Sequence, residues 1–264
     1  MTSRMPAIFC AAILLSLGCQ TVQYTGRSQM LLVSQSEEKK MGDEAYKEIL
    51  KKAKLSTDRE KVALIRKVGR RLSKVADRPD FAWEFNLIED DKQINAFCLP
   101  GGKVAFYTGI LPVADGEEGV AVVMSHEIAH ALARHGAERM SQGQVLSAGG
   151  QALGALLGGK SAATQRLSAE GYAAAATLGV LLPYGRGQES EADHIGLILM
   201  AKAGYDPAQA VLFWKRMEKA TEGKAPSGPL AKFMSTHPSS KKRQEEIQAA
   251  LPEVVAKYGK KKGN

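Results

Sequence analysis

The stretch His126-Glu127-Ile128-Ala129-His130 decides how the rest of the sequence is interpreted. On an α-helix, residues four apart lie about 40° apart around the axis, so His126 and His130 share a face and can reach one ion. Glu127 lies about 100° from His126, where its carboxylate can polarise a water beside that ion. The pattern therefore predicts a metal site, with two buried histidines of ordinary packing as the alternative.

The residues around this motif are almost all apolar. From Gly119 to Ala133, the only polar side chains outside the motif belong to Ser125. This composition predicts a helix that is buried on most sides, and ionisable groups in such surroundings are costly unless they are coordinated or paired. The context favours metal ligands over packing histidines.

A catalytic zinc usually takes three protein ligands and keeps one position open. The segment 188–196 begins a second predicted helix, in which Glu189 lies near the apolar stripe and Asp193 shares its face, whereas Glu191 points about 200° away from Glu189. We therefore predict Glu189 as the third ligand and Asp193 as the acceptor for the ring N–H of a ligating histidine. The alternative is an acidic first helical turn that the helix dipole stabilises.

Hydrophobic periodicity predicts an α+β fold that is mainly helical. Helices are predicted over Lys39–Lys54, Asp58–Ala76, Gly116–Met140, Val145–Leu157, Ala162–Leu182, Gln188–Ala203, Pro207–Ala220 and Ser240–Ala249. Strands are predicted at Phe81–Ile88, Gln93–Phe97 and Lys103–Tyr107, with Pro100-Gly101-Gly102 as a turn. Residues 143–187 hold 10 of the 26 glycines, which predicts either a lid or a loosely packed helical hairpin.

The charge distribution argues against a nucleic-acid partner. The 264 residues carry 36 basic and 28 acidic side chains, a net charge of +8. Residues 75–240 nevertheless hold 14 basic and 18 acidic groups, so the basic character belongs to the two ends. The positive charge is therefore not concentrated around the predicted site, as it would be in a protein that binds nucleic acid there.

The N-terminus predicts export and a membrane anchor. Arg4 precedes an apolar run from Met5 to Leu17, and Leu-Ser-Leu-Gly-Cys at 15–19 is similar to a lipobox, although Ser16 departs from it. We expect a signal peptide over 1–18, a segment 19–35 lipidated at Cys19, a protease domain over 36–252 and a basic tail over 253–264. The expected location is the periplasmic face of the outer membrane, and an ordinary cleaved signal is the alternative.

Four separated motifs resemble the gluzincin metallopeptidases related to the CAAX prenyl protease, particularly the soluble envelope lipoproteins of the LoiP and BepA type. They are His126–His130, the Glu189 and Asp193 pair, Asn95-Ala96-Phe97 with Pro100-Gly101-Gly102, and Ser235-Thr236-His237-Pro238. The resemblance implies a zincin-like domain with one Zn²⁺ and a small β-sheet whose edge strand lies beside the helix of the motif. It further implies Glu127 as catalytic base, Glu189 as ligand, and His237 near the metal, either stabilising an oxyanion or filling the open position.

The implied activity is hydrolysis of peptide bonds in unfolded or misassembled envelope proteins. Substrate is expected to lie along Lys103–Tyr107, taken as the edge strand, with contacts from the following residues: Asn95, Gly101, Gly102, Lys103, Val104 and Ala105. Cys98 stands where the family usually has a small apolar residue, which predicts a thiol near the site. Two alternatives remain open, a non-catalytic chaperone or assembly factor whose zinc site is closed by His237, and an exopeptidase. The sequence does not fix the oligomeric state.

Overall fold

The computed structural model describes residues 19–177, 181–221, 234–238 and 241–259. The chain divides into two compact units, one of Ser36–Ala133 with Gln188–Asn264 and the other of Met1–Gln35 with Arg134–Gly187. The predicted signal segment 1–18 and the last lysines of the basic tail lie outside the described residues. None of the helices within the described residues is both long and apolar enough to span a bilayer.

The described residues form two small β-sheets and a larger number of helices. In chain order the elements are β1 (Cys19–Thr21), β2 (Ser28–Met30), α1 (Gln35–Lys52), α2 (Arg59–Ser73), β3 (Glu84–Ile88), β4 (Ala96–Leu99), β5 (Lys103–Tyr107), α3 (Leu111–Ala114), α4 (Glu117–Leu132), α5 (His135–Leu156), α6 (Ala162–Ala176), α7 (Leu182–Ala203), α8 (Gln209–Thr221) and α9 (Lys241–Tyr258). Helix α9 continues past residue 252, and Val254 within it is buried.

The three-stranded sheet has the order β3-β5-β4, with β5 parallel to β3 and antiparallel to β4. Strand β5 covers the predicted residues Lys103–Tyr107, but it is the central strand. The prediction that it forms the edge is therefore wrong, because its main-chain groups pair with a neighbour on each side. Of the two edge strands, β3 and β4, it is β4 that packs beside α4, so the expectation of an edge strand next to the motif helix is confirmed.

A tight turn joins β4 to β5. The N–H of Gly102 donates to the carbonyl of Leu99 at 3.2 Å. Gly101 has a φ of 87°, and Pro followed by Gly in this conformation is typical of a type II turn. A Cβ on Gly102 would lie 2.8 Å from the ring of Trp83. Both glycines are therefore required by the turn and its packing.

Helix α4 forms the centre of its unit, as the apolar sequence predicts. Thirteen of its 16 residues are buried. The predicted helix over Gly116–Met140 is, however, interrupted after Leu132, because Arg134 adopts a left-handed conformation with a φ of 57° before α5 begins. A helix cannot continue through such a residue.

The other unit is built from the β1–β2 hairpin, α5 and α6. Arg27 makes two hydrogen bonds to the carboxylate of Glu138, at 2.7 and 2.9 Å, and these join the hairpin to α5. Helix α6 has no buried residue, and the hydroxyl of Tyr172 donates to the carbonyl of Leu146 on α5 at 2.8 Å. The glycine-rich segment thus contains a lightly packed helical hairpin, and its role as a lid stays a prediction.

Candidate active site

The candidate site lies within the unit that contains α4. Helix α4 carries His126, Glu127 and His130, and α7 carries Glu189 and Asp193. The two helices approach closely where Gly196 of α7 faces the backbone of His126, since a Cβ there would lie 3.3 Å from the His126 nitrogen. This close approach brings the carboxylates of α7 to the imidazoles of α4.

Three side chains surround one point at the spacing that zinc requires. The Nε2 atoms of His126 and His130 are 3.1 Å apart. The carboxylate oxygens of Glu189 lie 3.3 Å from the first and 3.2 Å from the second. Ligand atoms at about 2.0 Å from a tetrahedral zinc stand about 3.3 Å from each other. Both the distances and the set of two imidazoles and one carboxylate fit a zinc ion.

His237 completes the group. Its Nδ1 lies 3.2 Å from His126 Nε2 and 3.0 Å from Glu189 Oε2, and the ligand atoms of all four residues lie within 4.8 Å of one another. Its other ring nitrogen, Nε2, is 3.5 Å from Glu127 Oε1. The structure therefore places His237 in contact with both the ligand set and the predicted base.

The electrostatics of the site favour a positive charge at its centre. Burial alone would lower the pKa of His126, but the carboxylates of Asp193 and Glu189 outweigh it and raise that pKa to about 10. Burial would likewise raise the pKa of Glu189, but hydrogen bonds from His126, His130 and His237 hold it far below its usual range. A site that stabilises a proton so strongly is suited to a metal cation.

Asp193 lies beside His126. Its Oδ1 is 3.0 Å from Nδ1 of His126, so the carboxylate can accept the ring N–H and direct Nε2 at the shared point. Desolvation opposes ionisation of this buried carboxyl, yet the charge of Arg243 and the bond to His126 lower its pKa. Asp193 is therefore an anion at neutral pH.

Sequence reasoning missed Arg243. This buried side chain forms two hydrogen bonds to Asp193, at 2.7 and 2.8 Å, and its guanidinium lies 4.2 Å from the centre of the Trp214 ring. In the sequence it is the last of three consecutive basic residues, Lys241-Lys242-Arg243. Only the positions of the three residues around the axis of α9 could have distinguished Arg243, because it alone of the three lies on the buried side of the helix.

Most of the predicted substrate contacts have structural roles in the sheet. Asn95 uses Oδ1 to accept the N–H of Ala96 at 3.0 Å. Lys103 is buried and its Nζ lies 2.6 Å from Glu84. The adjoining Val104 and Ala105 are fully buried in β5. Because β5 is paired on both sides, a peptide cannot add a strand along Lys103, Val104 and Ala105, and this corrects the predicted substrate strand.

Cys98 lies on β4, the strand that packs beside α4. Burial raises the pKa of the thiol well above its usual range, and the charge of Glu127 raises it further. The thiol is therefore protonated and unreactive at neutral pH.

The fold and the site define a zinc metallopeptidase of the α+β type. The family model described as Peptidase family M48 matches residues 59–251, and the chain belongs to this family. The predicted gluzincin relationship, the zinc cofactor and the enzyme class are confirmed.

Named relatives come from eukaryotes and bacteria. The chain is 38% identical over 239 residues to "Mitochondrial metalloendopeptidase OMA1" of Schizosaccharomyces pombe, covering 89% of this chain and 67% of that protein. It is 30% identical over 226 residues to the "Beta-barrel assembly-enhancing protease" of Escherichia coli K12, and the match covers 84% of this chain and 45% of that protein. For the OMA1 of Saccharomyces cerevisiae, at 35% identity, the matched part spans 49% of the relative.

These relatives correct the predicted location. Proteins from Schizosaccharomyces pombe, Saccharomyces cerevisiae and Arabidopsis thaliana with 35–38% identity are named mitochondrial, which contradicts a bacterial outer-membrane lipoprotein at the periplasmic face. The predicted location rested on a short segment at the N-terminus, whereas these relatives match 64–89% of the chain. The lipobox also departs from its usual form at Ser16. Lipidation of Cys19 is untested and stays a prediction.

Proposed function

We propose that the chain is an endopeptidase that cleaves internal peptide bonds of unfolded or misassembled proteins. The observation that carries this proposal is the group of His126, His130 and Glu189 at tetrahedral spacing, with the buried carboxylate of Glu127 beside it. Because the relatives extend beyond the matched part, the substrates of the whole protein also belong to the proposal. The names of two relatives, a mitochondrial metalloendopeptidase and an assembly-enhancing protease, support a role in quality control.

The residues divide the chemistry among them. His126, His130 and Glu189 would hold the zinc ion, which would act as a Lewis acid. Glu127 takes a proton from the attacking water and later delivers it to the leaving amine, since its carboxylate lies next to the ligands on the same helix. Asp193 holds the ring of His126 in the tautomer that leaves Nε2 available.

Substrate is proposed to bind as an extra strand along β4. In the described part of the chain no strand pairs with the outer edge of β4. The N–H of Tyr107 donates to the carbonyl of Asn95, and main-chain direction alternates along an antiparallel pair, so Ala96 and Cys98 direct their main-chain groups away from β5. Main-chain recognition accepts many sequences. Selection would then depend on whether a segment is unfolded.

The position of His237 supports a second candidate, a closed site in a chaperone or assembly factor. In the structure its ring contacts the candidate ligands and lies 3.5 Å from Glu127, where it would compete with a substrate carbonyl. If His237 closes the site, His237→Ala should cleave faster than the natural chain. If its ring instead stabilises the oxyanion, the same variant should be slower by about 10² to 10³.

The test is cleavage of an unfolded, casein-like protein by the zinc-loaded full chain, with products identified by mass spectrometry. Internal cuts are expected, in the unfolded substrate and not in a folded counterpart. A ladder of products shortened from one terminus would indicate an exopeptidase. No cleavage by either the natural chain or His237→Ala would contradict the proposal.

A pair of variants tests the position of the substrate. Cys98→Pro removes the N–H that faces away from β5, which an edge strand tolerates, and it should lower kcat/KM by at least about tenfold while the fold is kept. Cys98→Ala keeps the N–H and is the matched control, which should retain full activity. Equal kcat/KM for the two variants would show that substrate does not pair with β4.

A further inference from the structure

Arg243 is buried against the candidate site without being one of its ligands. Its Nε and Nη2 donate to the two oxygens of Asp193 at 2.7 and 2.8 Å. Its Nη1 donates to the carbonyl of Pro238 at 2.9 Å and lies 3.2 Å from Glu189. Only about 5% of its surface is exposed. We propose that Arg243 is a positioning residue that fixes Asp193, and through it His126, in the geometry for zinc.

The paired contact controls orientation as well as distance. A guanidinium that binds both oxygens of a carboxylate defines the plane of that carboxylate. The same Oδ1 of Asp193 that accepts from Arg243 also lies 3.0 Å from Nδ1 of His126. Rotation of the carboxylate would therefore turn the imidazole, and Nε2 would leave the point it shares with His130 and Glu189.

Arg243 is itself held from two other sides. The ring of Trp214 on α8 stacks against the guanidinium at 4.2 Å, and the carbonyl of Pro238 accepts from Nη1. The side chain also begins in the first turn of α9. These contacts fix the guanidinium independently of Asp193, which a positioning role requires.

The charge of Arg243 and its geometry predict opposite effects on zinc binding. A positive charge 3.2 Å from Glu189 repels a dication, so removing the charge alone would strengthen binding. Removing a partner that orients a ligand weakens binding by about 10- to 100-fold. The sign of the change therefore separates the two roles.

The experiment measures the zinc affinity of the full chain, without substrate, by competition with a chromophoric chelator. Arg243→Met and Arg243→Lys should both bind zinc about 10- to 100-fold more weakly, because lysine keeps the charge but not the paired contact. Lys242→Gln, on the exposed side of the same helix turn, is the matched control and should bind as the natural chain does. Wild-type affinity in Arg243→Lys, or tighter binding in Arg243→Met, would overturn the proposal.

A double variant keeps the test valid if Arg243→Met does not fold. In Asp193→Asn/Arg243→Met the carboxylate that accepts two hydrogen bonds from Arg243 is neutral as well, so folding is less at risk than in Arg243→Met. If Arg243 acts through Asp193, this variant binds zinc as Asp193→Asn does. If the double variant bound zinc tenfold or more weakly than Asp193→Asn, Arg243 would not act through Asp193.

The inference rests on the proposed metallopeptidase function, but different results would contradict the inference and the proposed function. Tight zinc binding without cleavage by either the natural chain or His237→Ala would overturn the proposed function, while the affinity data would still decide the role of Arg243. Cleavage by the natural chain with unchanged zinc affinity in both Arg243 variants would overturn only the inference.

Discussion

Gly196→Val perturbs the contact between α4 and α7 that sets the spacing of the ligands. A Cβ at this position would lie 3.3 Å from the backbone nitrogen of His126 and 3.3 Å from Oγ of Ser125, which is closer than ordinary contact at about 3.5–4.0 Å. The backbone of His126 lies in the middle of a buried helix. The two methyl groups of valine would extend further toward it. The helices must therefore separate.

The expected cost follows from two opposing terms. Replacing glycine within a helix stabilises it by a few tenths of a kcal/mol, whereas overpacking costs about 1–3 kcal/mol. The free energy of unfolding should therefore fall by about 1–2 kcal/mol, or Tm by about 5 °C. Because Glu189 and Asp193 move with α7, the affinity for zinc should fall by at least about tenfold.

The assay is thermal unfolding together with chelator competition for zinc. Gly187→Val is the matched control, since Gly187 lies on the same helix and a Cβ there meets nothing within 4 Å. It should be as stable as the natural chain and bind zinc equally well. If Gly196→Val bound zinc with unchanged affinity, the close approach of the two helices would not set the ligand spacing.

Three further outcomes are expected. Because burial raises the pKa of the Cys98 thiol above its usual range, the thiol stays protonated at neutral pH, and maleimide should label Cys98, identified by peptide mass spectrometry, much more slowly in the native chain than in the unfolded chain; equal rates at Cys98 would contradict a shielded thiol. Tyr46→Phe removes a buried hydroxyl that donates to Val104 at 2.7 Å and accepts from Asn86 at 3.1 Å, so chemical denaturation should show a loss of about 1–2 kcal/mol, and an unchanged midpoint would contradict this. Removing zinc with a chelator should lower Tm by an amount that grows with the zinc concentration used before removal; an unchanged Tm would contradict a site formed only in the folded state.

The candidate ligand set could be predicted because its information is local. The spacing of His126 and His130, and of Glu189 and Asp193, fixes their helical faces before any tertiary contact is known. Apolar flanking residues then identify which faces are buried. The structure places these four side chains where helical geometry directed them.

Sheet order and Arg243 depend on contacts between distant residues. Strand β5 was found at Lys103–Tyr107 from composition and turn residues, but whether a strand is central or at an edge depends on a parallel pairing with β3 about 20 residues earlier. Arg243 lies on the buried side of α9 with Ile247 and Val254, but its partner Asp193 lies 50 residues away. The break at Arg134 is similar, since that residue donates to Gln20 and Val33. None of these partners is encoded in local periodicity.

The central claim is that Glu127 acts as the base beside a zinc held by its neighbours, and Glu127→Gln tests it most directly. The substitution keeps the shape of the buried side chain, so bound zinc per chain, measured by elemental analysis, should equal that of the natural chain. Cleavage of the unfolded substrate should fall by about 10²- to 10⁴-fold. Glu118→Gln, on the same helix but bonded to Asp206, should cleave normally. Full zinc content with undiminished cleavage in Glu127→Gln would contradict the mechanism.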